Sequence, residues 1–514
     1  DTTKTPTNHT ETVTLEPYKR TTVLMPIQTA SVKSTRDNEG GQLRFVARAG
    51  DTIDTDGMEF TLPIGKRRSL ETAANYGTTD ADKAQESIAF PDKIYPDIGA
   101  ISVIVSPSVI ANIEGAFKYM RDYAYICWEQ ILTKGVFAAH YQNLKDYMPQ
   151  DFAWKGSETL PNDTLSRAGN FQAPNGGMAY FIPEDRYADP YLSAYTALAF
   201  NWLRKGGYAI PEQVEIKLHA YLLNFLRRDA APDFYSDGMS STVRAVALAA
   251  LAENGKIKRE DLDRYKTHLQ KMSLFGKTHY LQAAMKVKGA EPLITEVVPM
   301  IFAHASETGG KFMFNEQLDS TYQRILATPL RENCAILDAF TALAERADTK
   351  QLVQDVPFKL VRTITQTRQN RDHWENTQEN MFCMNALTNY SRVYENVKPA
   401  LAVRASLDMQ VFGETNFADL RDKPVTFQRP IDKNDPGRKA SVEIARQGEG
   451  RLYYTTRLSY APLDEATRDV NSGIEIHREY SVERNKEWIL LKNPQEIKRG
   501  ELVRVDIYVS LATA

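Results

Sequence analysis

A long block of helical periodicity lies between two strand-rich regions, and this layout constrains the fold more than any other feature of the sequence. Residues 1 to about 104 contain short alternating runs such as GQLRFVARAG, punctuated by Gly, Asp and Pro. Residues from about 106 to 395 carry apolar residues at helical spacing, and residues from about 400 to 514 return to strand-like patterns. The sequence therefore predicts a mainly helical domain inserted between β-rich regions.

The helical block divides into many separate helices. The stretch DPYLSAYTALAFNWLRKGG repeats apolar residues at i, i+3, i+4 and i+7, which predicts an amphipathic helix ending at Gly206. Pro211 opens the next helix. Further helices are expected near residues 240–254, 260–272, 277–288, 329–347, 353–367 and 376–394. About ten to twelve helices joined by short loops favour helical hairpins that close into an α/α toroid; a stacked open solenoid is the alternative, and the lack of a strict repeat period favours the toroid.

Length and composition set the broad class. A chain of 514 residues predicts three or four folding units, and 42% hydrophobic with 25% charged residues is typical of soluble globular proteins. A net charge of −3 gives no argument for a nucleic-acid surface or an anionic membrane. The first residues lack an apolar signal core and read as a cut through a longer protein, so we expect any targeting segment to lie upstream.

The chain has three cysteines, Cys127, Cys334 and Cys383, and this sparse, odd number argues against a disulfide framework. Cys334 and Cys383 each fall on the apolar stripe of a helix, which predicts core packing for both. A disulfide between these two residues stays open at the level of sequence.

Cys127 has different surroundings, in the stretch DYAYICWEQILTKG. At the start of a helix, Cys127 and Gln130 lie on one face, so the thiol can meet the carboxamide. Attack of the thiolate on the carboxamide carbon would expel ammonia and leave an internal thioester, an electrophile open to a lysine amine or a hydroxyl. Spacing alone is weak support, because a buried free cysteine on an apolar helix has the same pattern.

The combination of this motif and its context resembles the thioester domain of α2-macroglobulins, and more closely that of the bacterial ones. Cys127, Glu129 and Gln130 match the family's Cys-x-Glu-Gln motif, whereas Trp128 departs from the Gly or Leu found there. Tyr123 and Tyr125 match aromatic residues that precede the motif. By resemblance, Tyr123, Tyr125, Trp128 and Glu129 shield the bond from water. The stretches NGGMAYFIPEDRYADPYLSAYTALAF, HWENTQENMFCMNALTNYSRVY and GEGRLYYTTRLSYAP resemble further parts of the same region.

The resemblance implies a multidomain α and β protein in which an α/α toroid, the thioester domain, is inserted in a CUB-like β-domain. Macroglobulin-like β-sandwich domains would flank it. The implied domains are a partial macroglobulin-like sandwich at 1–70, the two halves of the CUB-like domain at 71–104 and 396–470, the toroid at 105–395 and the truncated start of a final macroglobulin-like domain at 471–514.

By the same resemblance, the full protein is a protease trap. A protease cuts a bait segment upstream of residue 1, the thioester becomes exposed, and a lysine of the protease is captured covalently. Such a protein is an endopeptidase inhibitor and not an enzyme with turnover, since each thioester is consumed once. The resemblance also suggests a monomer without cofactor in the periplasm, with an upstream lipid anchor. Some vertebrate relatives use a histidine to direct the acyl group to hydroxyls; the corresponding region here, DGMSSTVRAVALAAL, has none, so direct attack by amines is expected.

Two other readings stay open. One is an adhesion or scaffold module whose toroid has no working thioester. The other is a carbohydrate or terpene enzyme, because α/α toroids also serve those chemistries; its candidate acids are Glu184, Asp185 and Asp189. Helix capping is the favoured role for Asp189, which precedes Pro190. His219 is expected to be structural, and the histidines show no metal-ligand spacing.

Overall fold

The structure is a computed structural model, and it divides the chain into two compact units, residues 71–460 and residues 1–70 with 461–514. The residues that the structure describes are 12–14, 16, 21–22, 42–50, 55–63, 70–110, 113–148, 152–182, 187–228, 231–308, 311–367, 373–463, 474–491, 497–498 and 500–511.

Antiparallel sheets make up the β structure. The strands are β1 (Gln42–Gly50), β2 (Thr55–Pro63), β3 (Glu71–Thr79), β4 (Lys83–Ala89), β5 (Ile94–Ser106), β6 (Ala305–Thr308), β7 (Lys311–Phe314), β8 (Ala400–Leu407), β9 (Gln410–Phe417), β10 (Val425–Pro430), β11 (Lys439–Glu449), β12 (Leu452–Pro462), β13 (Ile474–Arg484), β14 (Glu487–Leu490) and β15 (Val503–Leu511). In the smaller unit, β1 pairs with β2, and β13 lies between β14 and β15.

Two four-stranded sheets of the larger unit combine strands from both sides of the helical region. Their orders are β10-β5-β12-β3 and β4-β11-β8-β9. Their inner faces share one apolar core that includes Val103, Val403 and Ile444. The chain leaves this β structure near Ser108 and returns after Glu395, and the two points are bonded: Ser108 Oγ donates to the buried Glu395 carboxylate at 2.7 Å. The helical region is therefore an insertion whose entry and exit meet.

The helices are α1 (Glu114–Asp122), α2 (Trp128–Asn143), α3 (Leu160–Arg167), α4 (Pro190–Lys205), α5 (Glu212–Arg227), α6 (Asp237–Ala252), α7 (Arg259–Tyr265), α8 (Leu274–Ala284), α9 (Glu291–Phe302), α10 (Pro329–Glu345), α11 (Lys350–Val353), α12 (Val356–Gln366) and α13 (Thr377–Tyr394). Six of them, α2, α4, α6, α8, α10 and α13, each contact the next in this order, and α13 contacts α2. We call this closed set the inner ring. Its helices are buried on most sides: every residue of α6 from Met239 to Ala252 is buried, and so is all of α8 except Gln282.

Side-chain caps define where the ring helices begin. Asp189 Oδ1 accepts from Leu192 N at 2.8 Å, which confirms the predicted cap of α4. Ser236, Ser273, Thr328 and Asn376 cap α6, α8, α10 and α13 in the same way. These caps satisfy backbone N–H groups that would otherwise be buried without partners.

One feature of the helical region differs from the sequence predictions, and another decides a point that the sequence left open. A short hairpin, β6 with β7, interrupts it where only helices were expected. Cys334 and Cys383 are fully buried, as predicted for core residues, but they also form a disulfide between α10 and α13, with 4.7 Å between their Cα atoms. The one free cysteine among the described residues is Cys127. The named domain ranges stay predictions.

Candidate functional site: the first turn of α2

A glycine turn and a backbone hydrogen bond fix the start of α2. Gly176 has φ +90°, in the left-handed region that favours glycine, and it directs the following segment toward α2. The carbonyl of Tyr180 in that segment accepts from Trp128 N at 2.8 Å. One of the N–H groups that every helix leaves unpaired is thereby satisfied.

Cys127 and Gln130 form a reciprocal capping arrangement. Cys127 is the N-cap, with extended backbone angles of φ −69° and ψ 163°, and its side chain faces the backbone N–H of Gln130. In return, Gln130 Oε1 accepts from Cys127 N at 3.2 Å. This is the geometry of a capping box with a thiol in place of the usual hydroxyl. The prediction that the motif starts a helix is confirmed, and the carboxamide folds back to the residue that carries the thiol.

Burial dominates the electrostatics of the thiol. It raises the pKa of Cys127, and the neighbouring Glu129 charge raises it further. The backbone N–H groups of Gln130 and Glu129 act in the opposite direction, as expected at a helix N-terminus. The helix N-terminus therefore does stabilise the Cys127 thiolate, but the cost of burying the charge is larger, and the net pKa is raised.

Glu129 points into the inner ring and is bound there by donors from α13. Gln378 Nε2 donates to its carboxylate at 2.6 Å, and Thr377 Oγ1 donates at 3.0 Å. Thr133, one turn along α2, donates at 3.0 Å. Burial raises the pKa of Glu129, while these three donors lower it. The carboxylate thus ties the first turn of α2 to the first turn of α13.

The network continues across the ring to a buried arginine. Tyr191 Oη donates to Gln378 Oε1 at 2.7 Å, and Arg331 Nη1 donates to Tyr191 Oη at 2.9 Å. Arg331 lies over the ring of Phe275, 3.9 Å from its centroid. The first turns of α2, α4, α10 and α13 therefore meet through one polar chain from Glu129 to Arg331. The sequence analysis did not identify Tyr191 or Arg331, since no local pattern marks residues that meet across a ring.

Trp128 is fully buried beside the motif. Its Nε1 donates to Thr196 Oγ1 on α4 at 2.9 Å, and its ring stacks on Phe171, 5.2 Å between centroids. An aromatic residue at this position is therefore accommodated by α4 and by the turn before Gly176. Its predicted shielding of a thioester, like that of Glu129, stays a prediction.

The loop before Cys127 carries a row of aromatic rings. Tyr123 contacts Tyr119 edge to face at 5.3 Å and Tyr125 at 5.7 Å. Tyr119 stacks on His373, with 4.1 Å between ring centroids. Burial, followed by the neighbouring Tyr123, raises the pKa of Tyr119 to about 12. Tyr123 is thus held by neighbours, whereas Tyr125 at the end of the row is 71% exposed.

An exposed apolar patch surrounds the thiol. Ile126 is 72% exposed directly before Cys127, and Phe181 and Ile182 are similarly exposed in the segment that bonds to Trp128. With Tyr125, these residues place four large apolar side chains around the start of α2. The sequence analysis missed Phe181 and Ile182, because the hydrogen bond that brings them to Cys127 links residues 52 apart in the chain (180 − 128).

A lysine follows the motif on the same helix. Lys134 Nζ donates to the carbonyl of Tyr123 at 3.3 Å, so its side chain reaches back past the first turn of α2. Burial lowers the pKa of Lys134, while the charge of Asp122 acts in the opposite direction. The lysine therefore connects the aromatic loop with the body of α2.

The other candidates do not assemble into a second site. Glu184 and Asp185 lie outside the described residues, and Asp189 is occupied as a helix cap. His219 is buried on α5 with its Nε2 3.6 Å from Glu215. Among the described residues, no group of three His, Cys, Asp or Glu side chains is arranged to hold a metal ion. Over the same residues, the helices include none with the length and apolar character needed to cross a bilayer.

Comparison with known proteins gives structural neighbours but no family assignment. No family model matches the chain. Circularly permutated Ras protein 2 of Dictyostelium discoideum is 18% identical over 508 residues, covering 83% of this chain and 13% of that protein. At this identity and coverage the match carries no functional argument.

Solved structures that resemble the chain include bacterial α2-macroglobulins. Trypsin-activated α2-macroglobulin from Escherichia coli matches with a TM-score of 0.55 and 17% identity, over 92% of this chain and 30% of that one. The same protein activated by porcine elastase matches with a TM-score of 0.52 and 17% identity, over 92% of this chain and 40% of that one. The mixed fold with antiparallel sheets thus resembles α2-macroglobulin domains, and the chain spans well under two thirds of these proteins.

Proposed function

We propose that this chain is the thioester-bearing part of a bacterial α2-macroglobulin-like protease trap. In this proposal, the inner ring and the other helices of the helical region form the α/α toroid. The two four-stranded sheets, from which the chain enters and leaves that region, form the CUB-like domain. The observation that carries the proposal is the capping arrangement of Cys127 and Gln130, with Oε1 3.2 Å from Cys127 N. The fold-level likeness to bacterial α2-macroglobulins supports it.

The atoms that react in bond formation all belong to the first turn of α2. Cys127 Sγ attacks Cδ of Gln130, a C–S bond forms, and the C–N bond breaks with release of ammonia, which takes up the proton of the thiol. The Cys127 N–H that already contacts Oε1 stabilises the negative charge that develops on this oxygen. Hydrogen bonds from Thr133, Thr377 and Gln378 hold Glu129 and, with it, the turn between the two reacting residues.

During capture of a protease, the Cys127 sulfur is the leaving group instead of the nucleophile. A lysine amine of an attacking protease adds to the acyl carbon of Gln130, the C–S bond breaks, and the Cys127 thiolate takes the proton from the amine. The raised pKa of the buried thiol makes it a poor leaving group, which protects the bond at rest. Exposure to water removes this desolvation and makes the thiolate easier to expel. We further propose a periplasmic location, an upstream lipid anchor and a monomer, as in the family that the chain resembles.

The test is the intact mass of freshly purified protein, with thiol titration before and after methylamine. A thioester predicts a mass short by one ammonia and a Cys127 thiol that appears only after methylamine. A Cys127→Ala variant should show the full sequence mass and no methylamine response. Full mass with Cys127 titratable from the start, in protein kept cold and free of amines, would contradict the proposal and favour a scaffold without a thioester.

A further inference from the structure

Lys134 lies one helical turn after Gln130, whose Cδ would be the acyl carbon of the proposed thioester. It follows Gln130 by four residues on α2, so both side chains are on one helical face. Helical side chains lean toward the N-terminus, which brings the Lys134 chain over the turn that holds Gln130. Its Nζ then reaches the carbonyl of Tyr123, at 3.3 Å, beyond the start of the helix. To span this path, the lysine must pass along the first turn where the thioester forms.

The amine is restrained but suited to act as a nucleophile. Its hydrogen bond to the Tyr123 carbonyl directs it to the aromatic loop and away from Gln130. Desolvation favours the neutral, nucleophilic amine relative to a lysine in water, although Asp122 opposes this effect. Displacement of the loop would remove the acceptor that holds the amine, at the same time as it uncovers the thioester.

We propose that Lys134 is an internal acceptor of the Gln130 acyl group, forming an isopeptide bond when the loop that contains Tyr123 is displaced and no external amine arrives first. The inference rests on the proposed thioester. The Lys134 nitrogen attacks Cδ of Gln130, a C–N bond forms, and the C–S bond breaks with its electron pair on Cys127 Sγ. The proton lost by the amine goes to this thiolate. The product is short by one ammonia, like the thioester, but it has a free Cys127 thiol.

Proximity explains how this reaction competes with water. Well-oriented intramolecular nucleophiles act at effective concentrations of about 10⁵ M or more, far above the concentration of water. If the thioester is exposed and no protease is captured, the acyl group would therefore be transferred to Lys134. Other proteins nearby would then not be acylated. The crosslink would join residues one helical turn apart on the same face of α2, so the helix backbone needs no rearrangement to accept it.

The experiment uses the full chain, incubated at pH 8 without amines and just below its melting temperature to displace the loop that contains Tyr123, and then treated with methylamine to cap any remaining thioester. After alkylation of thiols, trypsin digestion and peptide mass analysis separate three fates of Gln130: the methylamide, the glutamate left by hydrolysis, and a peptide linked to Lys134. The inference predicts the linked peptide, short by one ammonia, with alkylated Cys127 and no cleavage after Lys134.

Lys134→Arg keeps a donor for the Tyr123 carbonyl but removes the nucleophile, so the linked peptide should be lost and glutamate should replace it. Lys134→Met gives a second test if the arginine disturbs the loop. Lys118→Arg is the matched control, because Lys118 lines the same cavity as Tyr123 but lies on α1; the linked peptide should persist.

A wild-type thioester that ends only as glutamate or methylamide would overturn this inference and leave the proposed function intact. Protein that never lacks ammonia would overturn both.

Discussion

The backbone N–H of Cys127 donates to Oε1 of Gln130 at 3.2 Å, so the two ends of the proposed bond already share a hydrogen bond before any chemistry occurs. The contact orients the carboxamide carbonyl, and the same N–H would face the oxygen of the thioester. Gln130 therefore has two separable roles: its oxygen caps the start of α2, and its carboxamide carbon would form the thioester.

Gln130→Glu should abolish the thioester without loss of stability. A carboxylate can accept the same hydrogen bond and is favoured at a helix N-terminus, so we expect a melting temperature within about 2 °C of the wild type. The mass should equal the sequence mass, and Cys127 should titrate at once. Intact mass and thermal unfolding test this. A persistent deficit of one ammonia would mean that another residue supplies the acyl group.

Tyr191→Phe should slow thioester formation by breaking the polar chain between Glu129 and Arg331. The lost hydroxyl leaves Gln378 Oε1 without its donor, at a cost of about 1–3 kcal/mol in the free energy of unfolding. The measurement is the rate at which the ammonia deficit appears after refolding.

Tyr280→Phe is the control for this variant. Its hydroxyl, on α8, donates to the Leu262 carbonyl at 2.8 Å, so the variant also removes a buried hydrogen bond. It should lose similar stability but form the thioester at the wild-type rate. Equal slowing in both variants would assign the effect to general destabilisation.

Tyr123→Ala should accelerate loss of the thioester more than Tyr125→Ala. Tyr123 contacts both Tyr119 and Tyr125, whereas Tyr125 is 71% exposed and held on one side only. The half-life of the methylamine-reactive state measures the difference. If Tyr125→Ala had the larger effect, the contacts of Tyr123 with its neighbours would not be what shields the thioester from water.

His140 and His279 should each make the helical region less stable as the pH falls from about 6.5 to about 4. Burial lowers the pKa of His279 to about 4, and that of His140 similarly, so at these two sites the unfolded chain binds more protons than the folded one in this window. Each histidine accounts for about 3 kcal/mol at the acid limit. His279→Gln should flatten the dependence of the melting temperature on pH; an unchanged slope would exclude His279 as a source.

Removal of the disulfide should loosen the contact between α10 and α13. The loop between Cys334 and Cys383 spans 49 residues, for which chain entropy gives about 4 kcal/mol. The double variant Cys334→Ala, Cys383→Ala should therefore melt at a lower temperature. Wild-type protein denatured without reductant should show at most one thiol, and three after reduction and methylamine. Three thiols without reductant would mean that the pair is not oxidised in the sample.

Local patterns were sufficient for much of this fold. Helix positions followed from apolar spacing, and the cap at Asp189 followed from residue type and position, because these signals act over a few residues. The hairpin of β6 and β7 was missed, since each strand has only four residues. The partners of Glu129, the apolar neighbours Phe181 and Ile182 and the cysteine pair depend on tertiary contacts between distant segments, for which one sequence holds no local signal.

The hydrogen bond from Thr377 to Glu129 joins residues 248 positions apart, and this separation sets an order of events during synthesis. Until α13 has left the ribosome, the first turn of α2 lacks the two donors that α13 supplies, Thr377 and Gln378, and the ring has no closing helix. A reactive acyl group would then arise only in a chain that has completed the ring. Nascent and misfolded copies would keep an ordinary glutamine and be harmless to the proteins around them.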